Sequence, residues 1–174
     1  MLVLFSVSTA PACNQRAIES WLTEADRGPS LYDDKQFARS ISDLKKRVPS
    51  PIQALSLLVY PDHIVLQAQD PAVTTNVLQY VYRAGSVSEP ASVKLLGTGK
   101  LDDNLFPLDS AKLDAVPALV RAAQRKANIP EGAVARVLLK RNLPESTDVQ
   151  FRVFVTSQRR DAFFDADRNG ALLE

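Results

Sequence analysis

Apolar residues recur at helical spacing in three segments, which predicts amphipathic helices at about 14–25, 34–48 and 114–128. Their apolar stripes consist of Ala17, Ile18, Trp21, Leu22 and Ala25; of Phe37, Ile41, Leu44 and Val48; and of Val116, Val120, Ala123 and Ala127. Asp33 or Asp34 is placed to cap the second helix, because a carboxylate accepts hydrogen bonds from the free N–H groups of a first turn. The basic cluster 45–47 lies in the last turn of that helix, where cations complement the helix dipole.

Segments typical of β-strands follow the second and the third helix. After the second helix they are 54–60, 63–69 and 77–83, with a short segment at 86–95 that Pro90 interrupts. After the third helix they are 133–140, 149–157 and 161–167, with a last short one at 171–173. Pro61 and Asp62 favour a tight turn between the first two strands. A polar linker is predicted from 96 to about 109.

The same order of elements occurs twice, which predicts an internal duplication. Residues 83–87 align with 168–172 at a spacing of 85, and 55–60 correspond to 134–140. The predicted organisation is a leader-like segment at 1–13, an N-terminal helix and linker at 14–30, a first repeat at 31–96, a linker at 97–110 and a second repeat at 111–174.

The predicted fold class is α+β: two tandem repeats, each a helix followed by an antiparallel meander, with the sheet covered by helices on one face. An amphipathic helix must bury its stripe, and only the sheet is available to cover it. The other face is then left to solvent or to a partner. The strand positions expected to point towards the helices are Val149, Phe151, Val153 and Val155 in the second repeat and Leu55, Leu57 and Val59 in the first.

An open sheet face could bind a partner. Tyrosine, phenylalanine and arginine are enriched in protein interfaces, since they combine a large contact area with a polar end. The candidate partner-binding residues are Tyr60, Tyr80, Tyr82, Arg152 and Phe154. Alternatively, the tyrosines pack between the repeats with their hydroxyls at the rim. Alternation alone does not tell which face meets the helices.

Composition argues against catalysis and against metal chemistry. The chain has one His and one Cys, whereas structural zinc takes four Cys or His ligands. Lys and Arg number 21 against 20 Asp and Glu, so the net charge of +1 gives no general attraction to nucleic acid or anionic membranes. His63 beside Asp62 could form half of an acid–base pair, but no nucleophile has a recognisable context. We therefore predict a protein that is not an enzyme and has no cofactor.

The motif Asp165-x-Asp167-x-Asn169-Gly170 has two interpretations. It matches the first half of a calcium loop, which makes Asp165, Asp167 and Asn169 candidate ligands. However, strand and not helix is predicted before it. A hairpin turn closed by Asn169 and Gly170 is the favoured interpretation, because both residue types accept positive φ.

The first thirteen residues resemble the lipobox region of bacterial lipoproteins. An apolar run at 2–7 is followed by small residues at 8–12 and then by Cys13. The resemblance implies that Cys13 is lipidated and that the protein is exported to the bacterial periplasm or outer membrane. The alternative is a buried N-terminal strand with a buried cysteine. The run is too short to span a bilayer.

The helix, the meander and the closing turn at 165–172 resemble a PepSY-type unit. Two such units in tandem resemble the architecture of β-lactamase inhibitor proteins, which implies a surface that grips a protein. Inhibition itself is not implied, because Cys13 is alone and those inhibitors carry disulfides. The resulting functional prediction is a non-catalytic envelope module that binds an unidentified protein or peptide, with no nucleic acid partner and with membrane contact only through Cys13. The alternative is a structural, lipid-anchored protein without a ligand.

Overall fold

A nine-stranded antiparallel sheet and its helices make up the computed structural model, which describes residues 30–96 and 99–174. The helices are α1 (Asp34–Arg47), the short α2 (Leu101–Asn104) and α3 (Val116–Ala127). The strands are β1 (Gln53–Val59), β2 (His63–Gln69), β3 (Val77–Arg83), β4 (Ser86–Val87), β5 (Ala91–Ser92), β6 (Phe106–Pro107), β7 (Ala133–Arg141), β8 (Val149–Thr156) and β9 (Asp161–Ala166). The predicted helix at 14–25 and Cys13 lie outside the described residues. None of the described helices meets the length and hydropathy that a membrane crossing requires.

The strands follow the order β4-β3-β2-β1-β7-β8-β9, with β5 paired to β3 and β6 to β1. Each half of the chain contributes a meander. The first strands of the two meanders pair with each other, Leu57 opposite Leu139, Leu58 opposite Leu138 and Val59 opposite Val137. This pairing joins both halves into one sheet. The predicted α+β class with antiparallel strands is confirmed.

Both long helices pack on the same face of this sheet. Phe37 and Leu44 of α1 and Val116 and Leu119 of α3 are buried in one core with alternate strand residues. The strand residues of that core include Leu57, Leu66, Leu139, Phe151 and Val153. The cap of α1 is Asp33, whose carboxylate accepts hydrogen bonds from the N–H groups of Lys35 at 3.0 Å and Gln36 at 3.2 Å. Neither of these two long helices packs on the opposite face of the sheet.

One β-bulge interrupts each half of the sheet. The β1–β2 register shifts between Ala54 and Ser56, and the β7–β8 register shifts between Val134 and Arg136, 80 residues later. The same spacing separates Leu58 from its partner Leu138. Because a bulge inserts one residue into a strand, it changes which residues face the core. The prediction that Leu55 points inward is therefore wrong, and Ala54 takes that place in the core.

The predicted polar linker contains buried apolar structure. Leu105, Phe106 and Leu108 are buried, and β6 pairs with Gln53 and Ala54 of β1. The prediction of a wholly polar linker is wrong at this point, since the Leu105–Leu108 stretch has enough apolar surface to join the core.

Candidate functional site

The face turned away from the helices, called the open face below, carries side chains in rows across six strands. Its central row is set by the strand register and consists of Val81, Val65, Leu58, Leu138, Arg152 and Asp165. Four of these six side chains are aliphatic. The middle of the open face is therefore apolar, and polar groups lie on both sides of it.

In the first half of the sheet, a glutamine ladder flanks the central row. The ladder consists of Ser56, Gln67 and Gln79, which are successive partners on β1, β2 and β3. The Ser56 hydroxyl donates to Gln67 Oε1 at 3.3 Å, and Gln67 Nε2 donates to Gln79 Oε1 at 3.2 Å. These polar groups satisfy one another.

In the second half, an aromatic–arginine patch occupies the open face: Arg136, Arg152, Phe154 and Phe163. Arg136 pairs with Phe154 across β7 and β8, and Phe154 pairs with Phe163 across β8 and β9. The guanidinium of Arg136 lies 4.2 Å from the Phe154 ring centre, and that of Arg152 lies 4.8 Å from the Phe163 ring centre. Both are within the range of cation–π attraction. Phe163 is 60% exposed, which is unusual for an aromatic side chain on a sheet.

The two arginines of the patch differ in their charge partners. Arg152 donates from Nε and Nη2 to the two carboxylate oxygens of Asp165 at 2.6 and 2.9 Å. The hydrogen bond to Asp165 raises the pKa of the Arg152 guanidinium above its usual value, against the opposing effect of burial. Arg136 makes no ion pair or side-chain hydrogen bond with any residue in the described ranges. Within the part of the chain that the structure describes, the unpaired charge of the patch is therefore on Arg136.

Tyr60 and the Asp62–His63 pair lie at the β1–β2 turn. The rings of Tyr60 and His63 stack with centres 4.2 Å apart and planes 9° apart. Asp62 contacts His63 Nδ1 at 2.7 Å and accepts a hydrogen bond from Arg83 at 2.5 Å. Burial raises the pKa of Asp62, but the hydrogen bonds and charges of His63 and Arg83 outweigh this and leave the pKa below its usual value.

Tyr32 lies close to this turn. Its hydroxyl donates to the carbonyl of Val59 at 3.3 Å. Burial, together with Tyr60 and the charge of Asp62, raises the pKa of the Tyr32 phenol above its usual value. The hydroxyl therefore acts as a neutral donor that ties the segment before α1 to the end of β1. The contacts of the His63 ring are with Asp62 and Tyr60, both of the same turn.

Two of the five predicted contact residues lie on the other face. Tyr80 and Tyr82 are each 4% exposed and belong to the core under the helices. The register explains their placement, because Tyr80 is opposite Leu66 and Tyr82 is opposite Ile64, both of them core residues. The prediction that these tyrosines belong to an exposed contact surface is wrong. Tyr60, Arg152 and Phe154 stay candidates, and the last two belong to the aromatic–arginine patch.

The three candidate calcium ligands are engaged in other contacts. Asp165 pairs with Arg152, and Asp167 accepts hydrogen bonds from the N–H groups of Asn169 and Ala171 at 2.9 Å. Within 30–96 and 99–174, no group of three or more acidic, His or Cys side chains is arranged to hold a metal ion. A hairpin turn is present at these residues, and Gly170 is the one among them with positive φ, at 85°.

Arg136 and Phe163 are the residues that sequence reasoning missed. Alternation along 161–167 places Phe163 on the same face as Asp165, and alternation along 149–157 places Arg152 and Phe154 together. The β8–β9 register, in which Phe154 is opposite Phe163, combines the two sets into one surface. The bulge before Arg136 hides its face from simple alternation.

Comparison with known proteins gives one structural likeness. The chain matches no protein-family model, and a search of curated proteins found no significant match. The crystal structure of a candidate lipoprotein from Clostridium difficile 630 is similar, with a TM-score of 0.55 and 13% identical residues, over 84% of this chain and 97% of that chain. At this identity the likeness shows a shared fold alone. The PepSY-type resemblance stays a prediction.

Proposed function

We propose that this protein is a non-catalytic binding module of the bacterial envelope, which recognises a protein or peptide through the open face of its sheet. The observation that carries the proposal is the aromatic–arginine patch, in which Phe163 is exposed and Arg136, Arg152 and Phe154 are half-buried. Phe163 is 60% exposed, and Arg136 stacks on Phe154 without an acidic partner among the described residues. Aromatic and arginine side chains dominate binding energy in protein interfaces, so a cluster of both on a sheet face without a helix cover is typical of a contact surface.

The proposal includes two tandem repeats. Several features support it: each half contains one bulge, the two bulges lie 80 residues apart, and the first strands of the meanders pair around Leu58 and Leu138. Duplication explains why one backbone arrangement occurs twice. It also leaves the two halves of the open face free to acquire different side chains.

The proposal also places the protein at the membrane through a lipid on Cys13. The support is the lipobox-like sequence before Cys13 and the fold shared with a candidate lipoprotein. The same two observations favour a second candidate function, a structural lipid-anchored protein without a ligand. Substitution Cys13→Ser should move the protein from the membrane fraction to the soluble fraction, measured by fractionation and immunoblotting. A membrane-bound Cys13→Ser protein would remove the anchor from both candidates.

A variant whose second half carries the open-face side chains of the first half tests the binding function. The triple variant Arg136→Ser, Phe154→Gln, Phe163→Gln gives the second half the side chains of the glutamine ladder. We expect it to lose the partner that wild type captures from an envelope extract of the native host, because these side chains supply the apolar and charged contacts. Capture is measured by quantitative mass spectrometry after cross-linking.

The matched control changes the equivalent ladder in the first half, Ser56→Ala, Gln67→Ala, Gln79→Ala. This control should capture the partner as wild type does, and both triple variants should keep the circular dichroism spectrum of the wild type. Equal capture by wild type and both variants would contradict binding through the patch and would favour the structural role.

A further inference from the structure

We propose that Arg136 is the anchor for a carboxylate, and that the occupant of the open face is an extended acidic segment of another polypeptide. This inference rests on the proposed function and specifies the chemistry of the partner. The guanidinium of Arg136 would take a glutamate or aspartate side chain, while Phe163 would contact an apolar side chain next to it in the partner.

The charges of the open face favour an acidic occupant. Strand β7 presents Arg136 and Lys140 on this face, on either side of Leu138, and neither makes an ion pair within the described ranges. Two acidic residues of β9 lie on the same face: Asp165 is paired with Arg152, and Asp161 accepts a hydrogen bond from the Thr156 hydroxyl. The two unpaired cations are four residues apart on one strand, which is roughly 13 Å. Negative groups spaced along an extended partner would complement them.

The stacking of Arg136 prepares it for a planar anion. Its guanidinium lies 4.2 Å from the Phe154 ring centre, so the ring restricts the side chain before any ligand arrives. A stacked guanidinium keeps its N–H groups at the edge free, and these match the two oxygens of a carboxylate. Less conformational freedom is then lost on binding than for an unrestrained arginine. Lys140 lacks such a platform and contributes long-range attraction.

Phe163 supplies the apolar half of the recognition. It is opposite Phe154 across β8 and β9 and is 60% exposed, so the two rings form a step beside Arg136. The backbone groups of Phe163 are also available. The Ser157 N–H donates to the Arg160 carbonyl at 3.0 Å, and antiparallel pairs alternate between hydrogen-bonded and non-hydrogen-bonded from there. By this alternation Ala162 and Phe164 bond to β8, whereas Phe163 does not. The N–H and C=O of Phe163 then point outward from β9, and they make no backbone bond with the described residues on that side. An extended segment can use both the ring and this edge.

Matched synthetic peptides test the inference on the full chain. The probe is a nine-residue peptide, blocked at both ends, in which glutamate alternates with valine and phenylalanine; its partner has glutamine in place of each glutamate. We expect wild type to bind the glutamate peptide at least about tenfold more tightly, because a charge-assisted bidentate contact replaces a neutral one. Fluorescence anisotropy gives both dissociation constants.

Variants of Arg136 separate the anchor from the rest of the surface. Arg136→Gln should abolish the preference for glutamate while leaving affinity for the glutamine peptide within about twofold, and Arg136→Lys should keep only part of the preference. Arg39→Gln, an exposed arginine on α1 on the helix side of the sheet, is the control and should behave as wild type.

The outcomes distinguish this inference from the proposed function. Equal binding of both peptides to wild type, with binding lost in Phe163→Ser, would overturn the carboxylate anchor and leave the open face as a peptide-binding surface. Peptide binding that Phe163→Ser and Arg136→Gln both leave unchanged, or no binding of either peptide, would overturn the anchor and count against the open face itself.

Discussion

Each half of the open face contains one β-bulge, but the two halves differ in chemistry. In the first half, the bulge is followed by Ser56, whose successive cross-strand partners are Gln67 and Gln79. In the second half, the bulge is followed by Arg136, whose successive partners are Phe154 and Phe163. In the first half the polar groups bond to one another along the ladder. In the second half a guanidinium without an acidic partner in the described chain stacks on an aromatic ring beside an exposed phenylalanine. The difference places the unpaired guanidinium and the exposed aromatic ring of the described residues in the second half.

The core face, in contrast, is alike in both halves. Leu57, Ile64 and Leu66 in the first half and Leu139, Phe151 and Val153 in the second are all at most 1% exposed. Both sets belong to one core, which they share with the two long helices. Core positions tolerate only apolar side chains of suitable volume, whereas open-face positions make no demand on packing. We therefore expect the free energy of unfolding to depend on the core face of both halves. We expect binding of the proposed partner to depend on the open face of the second half.

The largest expected effect compares the two faces of β8. Phe151→Ala removes a ring that is 1% exposed and should lower the free energy of unfolding by about 3–5 kcal/mol, through lost burial and the cavity left behind. Phe154→Ala, three residues along on the open face, should cost about 1 kcal/mol or less, since it loses mainly the contact with Arg136. Urea denaturation followed by circular dichroism measures both.

Leu66→Ala extends this comparison to the first half. A cost of about 2–5 kcal/mol is expected there as well, because Leu66 is fully buried against the same core. A cost for Leu66→Ala below about 1 kcal/mol, as for a surface residue, would show that the halves are not equivalent in the core.

A smaller effect is expected at the closing turns. Gly85 and Gly170 both have positive φ, 81° and 85°, so alanine at either position should cost about 1–2 kcal/mol in backbone strain. An added Cβ at Gly85 meets nothing within 4 Å, whereas at Gly170 it would lie 2.7 Å from the Cβ of Ala115. Gly170→Ala should therefore lower the thermal midpoint more than Gly85→Ala. Equal midpoints would mean that the second turn can move away from the 3-10 turn Leu113–Ala115.

Sequence patterns predicted the elements of this fold better than their contacts. Strands β2 and β3 have the predicted bounds, and α1 begins at the predicted cap, because alternation and capping are local signals. The pairing of β1 with β7 joins residues 78 to 82 positions apart, so no local sequence pattern indicates it. Alternation likewise groups Tyr80 with Tyr82, but only packing decides that this pair faces the helices. Predicting the aromatic–arginine patch requires the β7–β8 register, the β8–β9 register and the position of the bulge in β7 together.

The smallest expected effect concerns the β1–β2 turn, whose histidine has no counterpart in the second half because the chain contains one His. The hydrogen bonds and charges of His63 and Arg83 outweigh burial and hold the pKa of Asp62 below its usual value of about 3.9. The ionised carboxylate is thus favoured in the folded state, so its contribution to the free energy of unfolding is complete above about pH 4 and is lost as pH falls through the lowered pKa.

Asp62→Asn should be less stable than wild type at pH 7, by less than about 1 kcal/mol because Asp62 is half-exposed. This difference in the free energy of unfolding should close between about pH 4 and pH 2. Urea unfolding at a series of pH values measures this gap, and a gap that stays constant down to pH 2 would show that the turn cluster contributes nothing through the charge of Asp62.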